Sequence, residues 1–311
     1  MRVGIVGTGA VGSACALAVV MRGAVRELVL VDRTRERARA VATDIRYGAP
    51  LSPLVDIWGG DFDGLAGAAL VMVTAGVNER GGGATDRSDA AGRLKLLDIN
   101  RGIYESLIPR VVAAAPEAVI LVVTDPPDPL ADIARSMAHH ERVLSTGTFL
   151  DSLRFRVHVA ERLGVSPTSV DAMVLGEHGT SQVYLWSSAR VGGRPVLDVL
   201  AQRDLPIDDF RRSIERDVRY ANIAIIEGND ASQYGIGMVS ARIAEIVIRD
   251  ERAVIPIGCY NPAFGVTLSL PAIVGRTGVV RILEPAMSTD ERKALKLSAD
   301  TLKSVLSRLA A

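Results

Sequence analysis

A short apolar run at residues 2 to 6 passes directly into Gly7-Thr-Gly9-Ala-Val-Gly12, and a small-residue helical stretch, Ser13 to Val20, follows. That order of strand, glycine turn and helix constrains the fold more than any other feature of the chain. Gly7 permits the tight turn, Gly9 lets the backbone approach a pyrophosphate, Gly12 allows close helix packing, and the helix N-terminus favours the anion. A bare G-x-G-x-x-G says little; one lying between strand and helix predicts a dinucleotide-binding unit. A second strand, Glu27 to Val31, ends at Asp32, twenty residues beyond Gly12, where a carboxylate can accept hydrogen bonds from the adenosine ribose hydroxyls. This favours NAD. Arg33 and Arg35 keep NADP open, because a guanidinium can hold a 2′-phosphate.

Apolar segments at 2 to 6, 27 to 31, 69 to 74, 119 to 123 and 143 to 146 alternate with longer helical stretches. Strands without inside-out alternation, separated by helices, predict a parallel sheet covered on both faces. The expected fold is α/β: a doubly wound Rossmann domain over residues 1–149, then an α+β substrate domain over 150–311. In the second domain we expect helices near 150 to 163, 207 to 228 and 230 to 249, strands at 171 to 175, 183 to 191, 253 to 258 and 266 to 274, and a helix capped at Ser288-Thr-Asp-Glu.

Composition narrows the function. The formal net charge is zero over 311 residues, with no basic stripe, which argues against nucleic acid or anionic membrane as partner. Cys15 and Cys259 are too few and too far apart for a disulfide framework or a metal cluster, so no metal is expected. The first strand leaves no room for a signal peptide, and no apolar run approaches the roughly twenty residues a membrane span needs, so the expected compartment is the cytoplasm.

Two later motifs carry chemistry. In Asp151-Ser-Leu-Arg154 the two charges lie one helical turn apart, and Gly176-Glu-His-Gly179 follows an apolar run where a strand should end. A lone Asp or Arg is most often a solvated surface charge. Together with His178, one of only four histidines, they make a proton relay and a carboxylate clamp. Aspartate holds one imidazole nitrogen, the other nitrogen exchanges a proton with a substrate oxygen, and arginine grips a carboxylate. These are the parts needed to oxidise a 2-hydroxy acid.

With GTGAVGS at 7 to 13, TAG at 74 to 76, GRLKLLDIN at 92 to 100, STGTFLDSLRFR at 145 to 156 and GEHG at 176 to 179, the chain resembles the lactate and malate dehydrogenase family over essentially its whole length, closer to the L-lactate branch. The resemblance implies an NAD-dependent L-2-hydroxyacid dehydrogenase. His178 would be the acid–base, Asp151 its orienting partner, Arg154 the carboxylate clamp, and Arg93 a mobile-loop residue that polarises the substrate carbonyl. It also implies cofactor contacts from Gly7, Gly9, Val11, Gly12, Asp32, Arg37, Ala75, Gly76, Asn100, Val123, Thr124 and Thr146. Ser232 would lie near the substrate side chain. A homodimer or homotetramer is implied as well.

Two departures bear on the substrate. The segment from Val77 to Gly92 is longer than the family pattern, and counting from Thr74-Ala-Gly76 puts Glu79 where lactate enzymes tend to carry Gln and malate enzymes Arg. A carboxylate there would repel the distal carboxylate of oxaloacetate, although Arg80 or Arg87 could meet one instead. Asp125, in Thr124-Asp-Pro-Pro-Asp-Pro129, stands where the family usually has Asn. An ionised carboxylate only accepts hydrogen bonds, so Asp125 must be protonated, paired with Arg93 or another cation, facing a donor on the substrate, or accepting backbone N–H groups in its own turn. Both departures suit a larger hydroxylated or cationic hydroxy acid as the alternative to lactate, with malate a further one. Asp171 stands where some relatives carry a histidine beside the effector-site Arg156, so activation by a sugar bisphosphate is not expected. From other classes, a non-catalytic NAD-binding redox sensor is opposed by the intact residue set. A metal-using, NAD-dependent glycosidase is opposed by the placement of the cysteines.

Overall fold

The computed structural model describes residues 1–77, 96–203 and 205–310. Its first half alternates strand and helix: β1 (Arg2–Val6), α1 (Ala10–Arg22), β2 (Glu27–Val31), α2 (Arg35–Gly48), β3 (Asp56–Gly60), β4 (Ala68–Val73), α3 (Leu97–Ala114), β5 (Val119–Val122), α4 (Pro127–Ala138), β6 (Val143–Ser145) and α5 (Phe149–Leu163). The six strands are parallel and stand in the order β3-β2-β1-β4-β5-β6, the doubly wound arrangement, with the chain reversing its direction of travel between β1 and β4. Both faces of the sheet's central strands are buried. Val3, Ile5, Leu28, Leu30, Leu70 and Met72 enter one core, while Val29, Val31, Val71 and Val73 enter the other. Neighbouring residues of a strand point to opposite faces, so burying both faces demands an unbroken apolar run.

The remaining elements are β7 (Val170–Asp171), β8 (Val174–Leu175), β9 (Val183–Tyr184), β10 (Arg190–Val191), β11 (Arg194–Pro195), α6 (Val196–Gln202), α7 (Ile207–Arg219), α8 (Ala221–Asn229), α9 (Tyr234–Arg249), β12 (Ala253–Asn261), β13 (Val266–Gly275), β14 (Gly278–Ile282) and α10 (Thr289–Ala310). The three long late strands do not build a sheet of their own. They continue the first one, antiparallel, through a pairing of Gly258 on β12 with Ser145 on β6, making nine strands in all. Helix α9 packs on α1, where a Cβ at Gly237 would lie 2.8 Å from the Ala14 carbonyl carbon, and Arg22 Nε donates to Glu245 at 2.7 Å.

Several expected boundaries move. The helix expected over 207 to 228 is two helices, α7 and α8, meeting at Tyr220, and the next begins at Tyr234, not 230. The strand expected over 183 to 191 is strand only at its two ends. The strand β3, Asp-Ile-Trp-Gly-Gly, has too short an apolar run to be recognised; it is built by pairing with β2. The cap of α10 is as read: the Ser288 hydroxyl accepts from the Glu291 amide at 3.2 Å, and Glu291 accepts from the Ser288 amide at 2.7 Å.

The glycines of the first turn differ in what they permit. Gly7 sits at φ +102°, and a Cβ at Gly12 would fall 2.0 Å from the Gly7 carbonyl oxygen, whereas a Cβ at Gly9 would meet nothing within 4 Å. Gly12→Ala is therefore expected to lower unfolding free energy by about 1–3 kcal/mol, and Gly9→Ala by less than about 0.5 kcal/mol. Denaturant titration of both variants checks this, and equal losses would contradict it.

Candidate active site

The topological switch between β1 and β4 opens a crevice at the carboxyl ends of the strands, where open α/β sheets hold ligands. The glycine turn lies on its edge. Gly9 ends in extended backbone at the N-terminus of α1, whose first turn carries no acidic residue, so an anion there meets free amide groups and a favourable dipole. At the tip of β2, Asp32 accepts from the Thr8 amide at 2.7 Å, the Thr8 hydroxyl at 2.8 Å and the Thr34 amide at 3.0 Å. Partial burial disfavours its charge, but these donors and the Arg37 guanidinium outweigh that and hold the carboxyl below its usual range. Arg37 itself donates to the Thr8 carbonyl at 3.0 Å. Open space over Gly9, tight packing at Gly7 and Gly12, and an ionised Asp32 fit a dinucleotide's diphosphate and adenosine ribose.

Further along the crevice, Thr124 Oγ1 donates to the Ala75 carbonyl at 2.9 Å, and a Cβ at Gly76 would collide with Thr124 Cγ2 at 2.3 Å. Asn100 is fully buried. Its amide accepts from the Val77 amide at 2.8 Å and donates to the carbonyls of Val77 and Asp125, at 3.3 and 2.9 Å, so it acts as a strut between the two loops. Val11 is half-buried on α1, against the core.

Helix α5 and the loop after β8 meet at the bottom of the crevice. Thr148, which precedes α5, donates its hydroxyl to the Val174 carbonyl, and Ser152 Oγ accepts from the Val174 amide at 2.9 Å. These two residues flank Asp151 and lock its helix to β8. Beyond β8 each successive amide is held by a different element: Gly176 by the Ser269 carbonyl on β13 at 2.9 Å, Glu177 by Ser298 Oγ on α10 at 2.8 Å, and His178 by Asp128 Oδ2 on α4 at 2.7 Å. Gly176 has φ +81°, and the Glu177 carboxylate turns back onto the Ser181 hydroxyl and amide. A loop with so little freedom aims its histidine closely.

His178 Nδ1 lies 2.5 Å from Asp151 Oδ2, and Arg154 Nη1 donates to Asp151 Oδ1 at 3.0 Å. A carboxylate at Nδ1 selects the tautomer with its proton on Nδ1, which leaves the Nε2 lone pair for a substrate hydroxyl. Asp151 is 2% exposed, and the two cationic or proton-donating groups offset the cost of burying its charge. On the other side of the ring, Asp125 Oδ1 is 3.9 Å from Nε2. The residue expected to need a proton, a cation or a donor thus faces the imidazole.

The pocket above this group encloses about 480 Å³ including its open mouth, with Asp125, Thr146, Arg154, His178 and Ser232 on its wall beside Val123, Leu150, Ile236 and Val239. Of the sequence-derived residues, His178, Asp151, Arg154, Asp125, Ser232, Val123 and Thr146 are brought together. Glu79, Arg80, Arg87 and Arg93 lie outside the described residues. Arg156 is on the far side of α5, bonded to the Ala172 carbonyl at 2.9 Å and to Asp171 at 3.3 Å. Among the described residues no group of three His, Cys, Asp or Glu could hold a metal. Cys15 and Cys259 are buried free thiols, pushed up to about 12 by burial.

Sequence reasoning missed Asp128 and Asn222. Asp128 shares the Thr124–Pro129 motif with Asp125, but only burial distinguishes the two: Asp128 is 1% exposed, and Ser145 Oγ donates to it at 2.5 Å. Asn222 sits in a helical stretch with no motif, and it lines the pocket.

Residues 1–145 match the model described as lactate/malate dehydrogenase, NAD binding domain, and residues 148–311 that for the lactate/malate dehydrogenase α/β C-terminal domain. The chain is 45% identical to an L-lactate dehydrogenase of Deinococcus radiodurans over 304 residues, 97% of each chain, and 43% identical to that of Thermus aquaticus, covering 99% of each. Among solved structures, a minor L-lactate dehydrogenase from Enterococcus mundtii superposes with a TM-score of 0.91 at 32% identity, over 99% of this chain and 98% of that one.

Asp128 yields a stability prediction. Burial, with the nearby Glu177 charge, pushes its carboxyl up to about 6 against the Ser145 and His178 donors. A carboxyl raised on folding stabilises most while it is protonated in both states, and that contribution disappears as pH rises through the folded value. Between about pH 4 and pH 7 the wild type should therefore lose up to about 3 kcal/mol relative to Asp128→Asn, measured by urea unfolding. A difference independent of pH would contradict this.

Proposed function

The chain belongs to the lactate/malate dehydrogenase family, and we propose that it interconverts a short L-2-hydroxy acid and its 2-keto acid at the His178–Asp151–Arg154 group. It is an L-lactate dehydrogenase-like, NAD-dependent oxidoreductase acting on small 2-hydroxy or 2-keto acids. The single observation that carries the assignment of roles is the 2.5 Å contact between His178 Nδ1 and Asp151, one helical turn from a guanidinium facing the same pocket.

In the oxidative direction Nε2 of His178 takes the hydroxyl proton as the C2 hydrogen departs with its electron pair, and Asp151 stabilises the imidazolium that results. NAD, when bound, supplies the nicotinamide that accepts this hydride, and NADH returns it in reduction. Arg154 holds the substrate carboxylate, so C2 presents its oxygen to the imidazole. Arg93 enters this reading through the family resemblance alone, as the group that polarises the carbonyl. At the adenosine end Asp32 accepts from the ribose hydroxyls, and its charge disfavours a 2′-phosphate; Arg35 is already paired with Asp61. The names of the relatives support lactate and pyruvate as the first substrate pair to test.

The division into a cofactor domain at 1–149 and a substrate domain at 150–311 belongs to the same proposal, as does a cytoplasmic location; no helix among the described residues is long and apolar enough to cross a membrane. Assembly into a homodimer or homotetramer is supported by exposed apolar side chains one turn apart on packed helices, Leu17 and Met21 on α1 and Tyr234 and Met238 on α9. Sedimentation at micromolar concentration should give a species larger than one chain, and a strict monomer would rule assembly out.

The catalytic roles are tested by following NADH oxidation with pyruvate, oxaloacetate and larger 2-keto acids. His178→Ala should lower kcat/KM by about 10²–10⁴-fold, and Asp151→Asn should cost about 10⁴-fold in kcat by removing the acceptor that sets the tautomer. Rates within a few-fold of wild type in both variants would refute the assignment.

A further inference from the structure

A tetrahedral C2 has four substituents, and the proposed reaction commits three of them. The carboxylate goes to Arg154 on α5, the oxygen to His178, and the transferred hydrogen to the carboxyl ends of the parallel strands, beside the cofactor crevice. Among the described residues, the wall left for C3 is the one formed by α8 and the turn into α9. Two side chains with polar groups line the pocket there, Asn222 and Ser232. They are 8% and 9% exposed, and neither side chain has a hydrogen-bond partner among the described residues. Neither contributes a sealed polar atom without a partner, so both polar groups are open to the pocket. A pocket built only for a methyl group would gain by placing an apolar side chain at 222, as it does at Leu150, Ile236 and Val239 on the same lining.

Resting on the function proposed above, we propose that Asn222, with Ser232, forms a polar subsite for the C3 substituent, selecting 2-hydroxy and 2-keto acids whose C3 carries a neutral hydrogen-bonding group. Neutrality follows from the chemistry of the Asn222 amide. Among the described residues of the pocket wall, Arg154 is the only guanidinium or ammonium group, and the C1 carboxylate occupies it. The Asn222 amide offers a donor and an acceptor to a hydroxyl or carboxamide and no charge to balance a second carboxylate.

The test compares hydroxypyruvate with 2-ketobutyrate, which differ at C3 by hydroxyl against methyl in nearly the same volume. Each is measured with NADH, beside pyruvate, for the wild type and for Asn222→Leu and Asn222→Ala. The wild type should favour hydroxypyruvate over 2-ketobutyrate by about tenfold in kcat/KM, and both variants should bring that ratio to about one. A general structural defect would lower both rates together and leave the ratio alone. A wild-type ratio near one, or a preference that survives in both variants, overturns the subsite while leaving the dehydrogenase reading intact. Failure of the wild type to reduce any of the three acids while it binds NADH overturns that reading, and the subsite with it.

Discussion

The proposed chemistry depends on one buried contact, the 2.5 Å approach of His178 Nδ1 to Asp151. The two residues come from elements that share no local sequence, a helix after the sixth strand and a loop after the eighth. An imidazole can act as a directed base only when its ring is fixed in both orientation and tautomer. The protein fixes the first with three backbone amides held by β13, α10 and α4, and the second with a carboxylate. Thr148 and Ser152, on either side of Asp151, tie the helix to the strand that carries the loop. Loosening any of these would leave both side chains present and misaim them.

The electrostatic arrangement separates two buried aspartates by function. Asp151 has a guanidinium and an imidazole against it and is arranged to hold a charge. Asp128 is held by a hydroxyl and an amide, with the His178 ring and another carboxylate nearby, and burial prevails in opposing its ionisation. A structural anchor needs only an acceptor for the His178 amide, whereas the partner of a catalytic imidazole gains from being ionised when the ring becomes charged. Asp125, on the opposite side of the same ring, puts a third carboxyl beside Nε2.

The sheet explains why these parts are close enough to cooperate. Continuing the parallel strands with three antiparallel ones brings Gly258 against Ser145, where a Cβ would lie 1.8 Å from the serine oxygen. That same serine donates to Asp128, so the join between the two halves of the chain also supports the loop that carries His178. The late helix α9, packed on α1 and on the core beneath β1, closes the pocket with Ile236 and Val239.

By itself the sequence determined the strand–glycine–helix start, the ends of the parallel strands, the capped final helix, and the pairing of Asp151 and Arg154 on one helix face. Each of these depends on residues a few positions apart: a run with both faces apolar, a turn that only glycine allows, a hydroxyl three residues before a glutamate. The resemblance to a known family added roles to those positions. Only the tertiary structure decided that the late strands extend the first sheet, that one stretch near residue 220 breaks into two helices, that Asp128 is an anchor while Asp125 faces the imidazole, and that Asn222 reaches the pocket. These turn on burial and on contacts between segments far apart in the chain. An aspartate or asparagine has the same propensities in water as in a core, and its role is set by which distant groups desolvate it and which donors they bring.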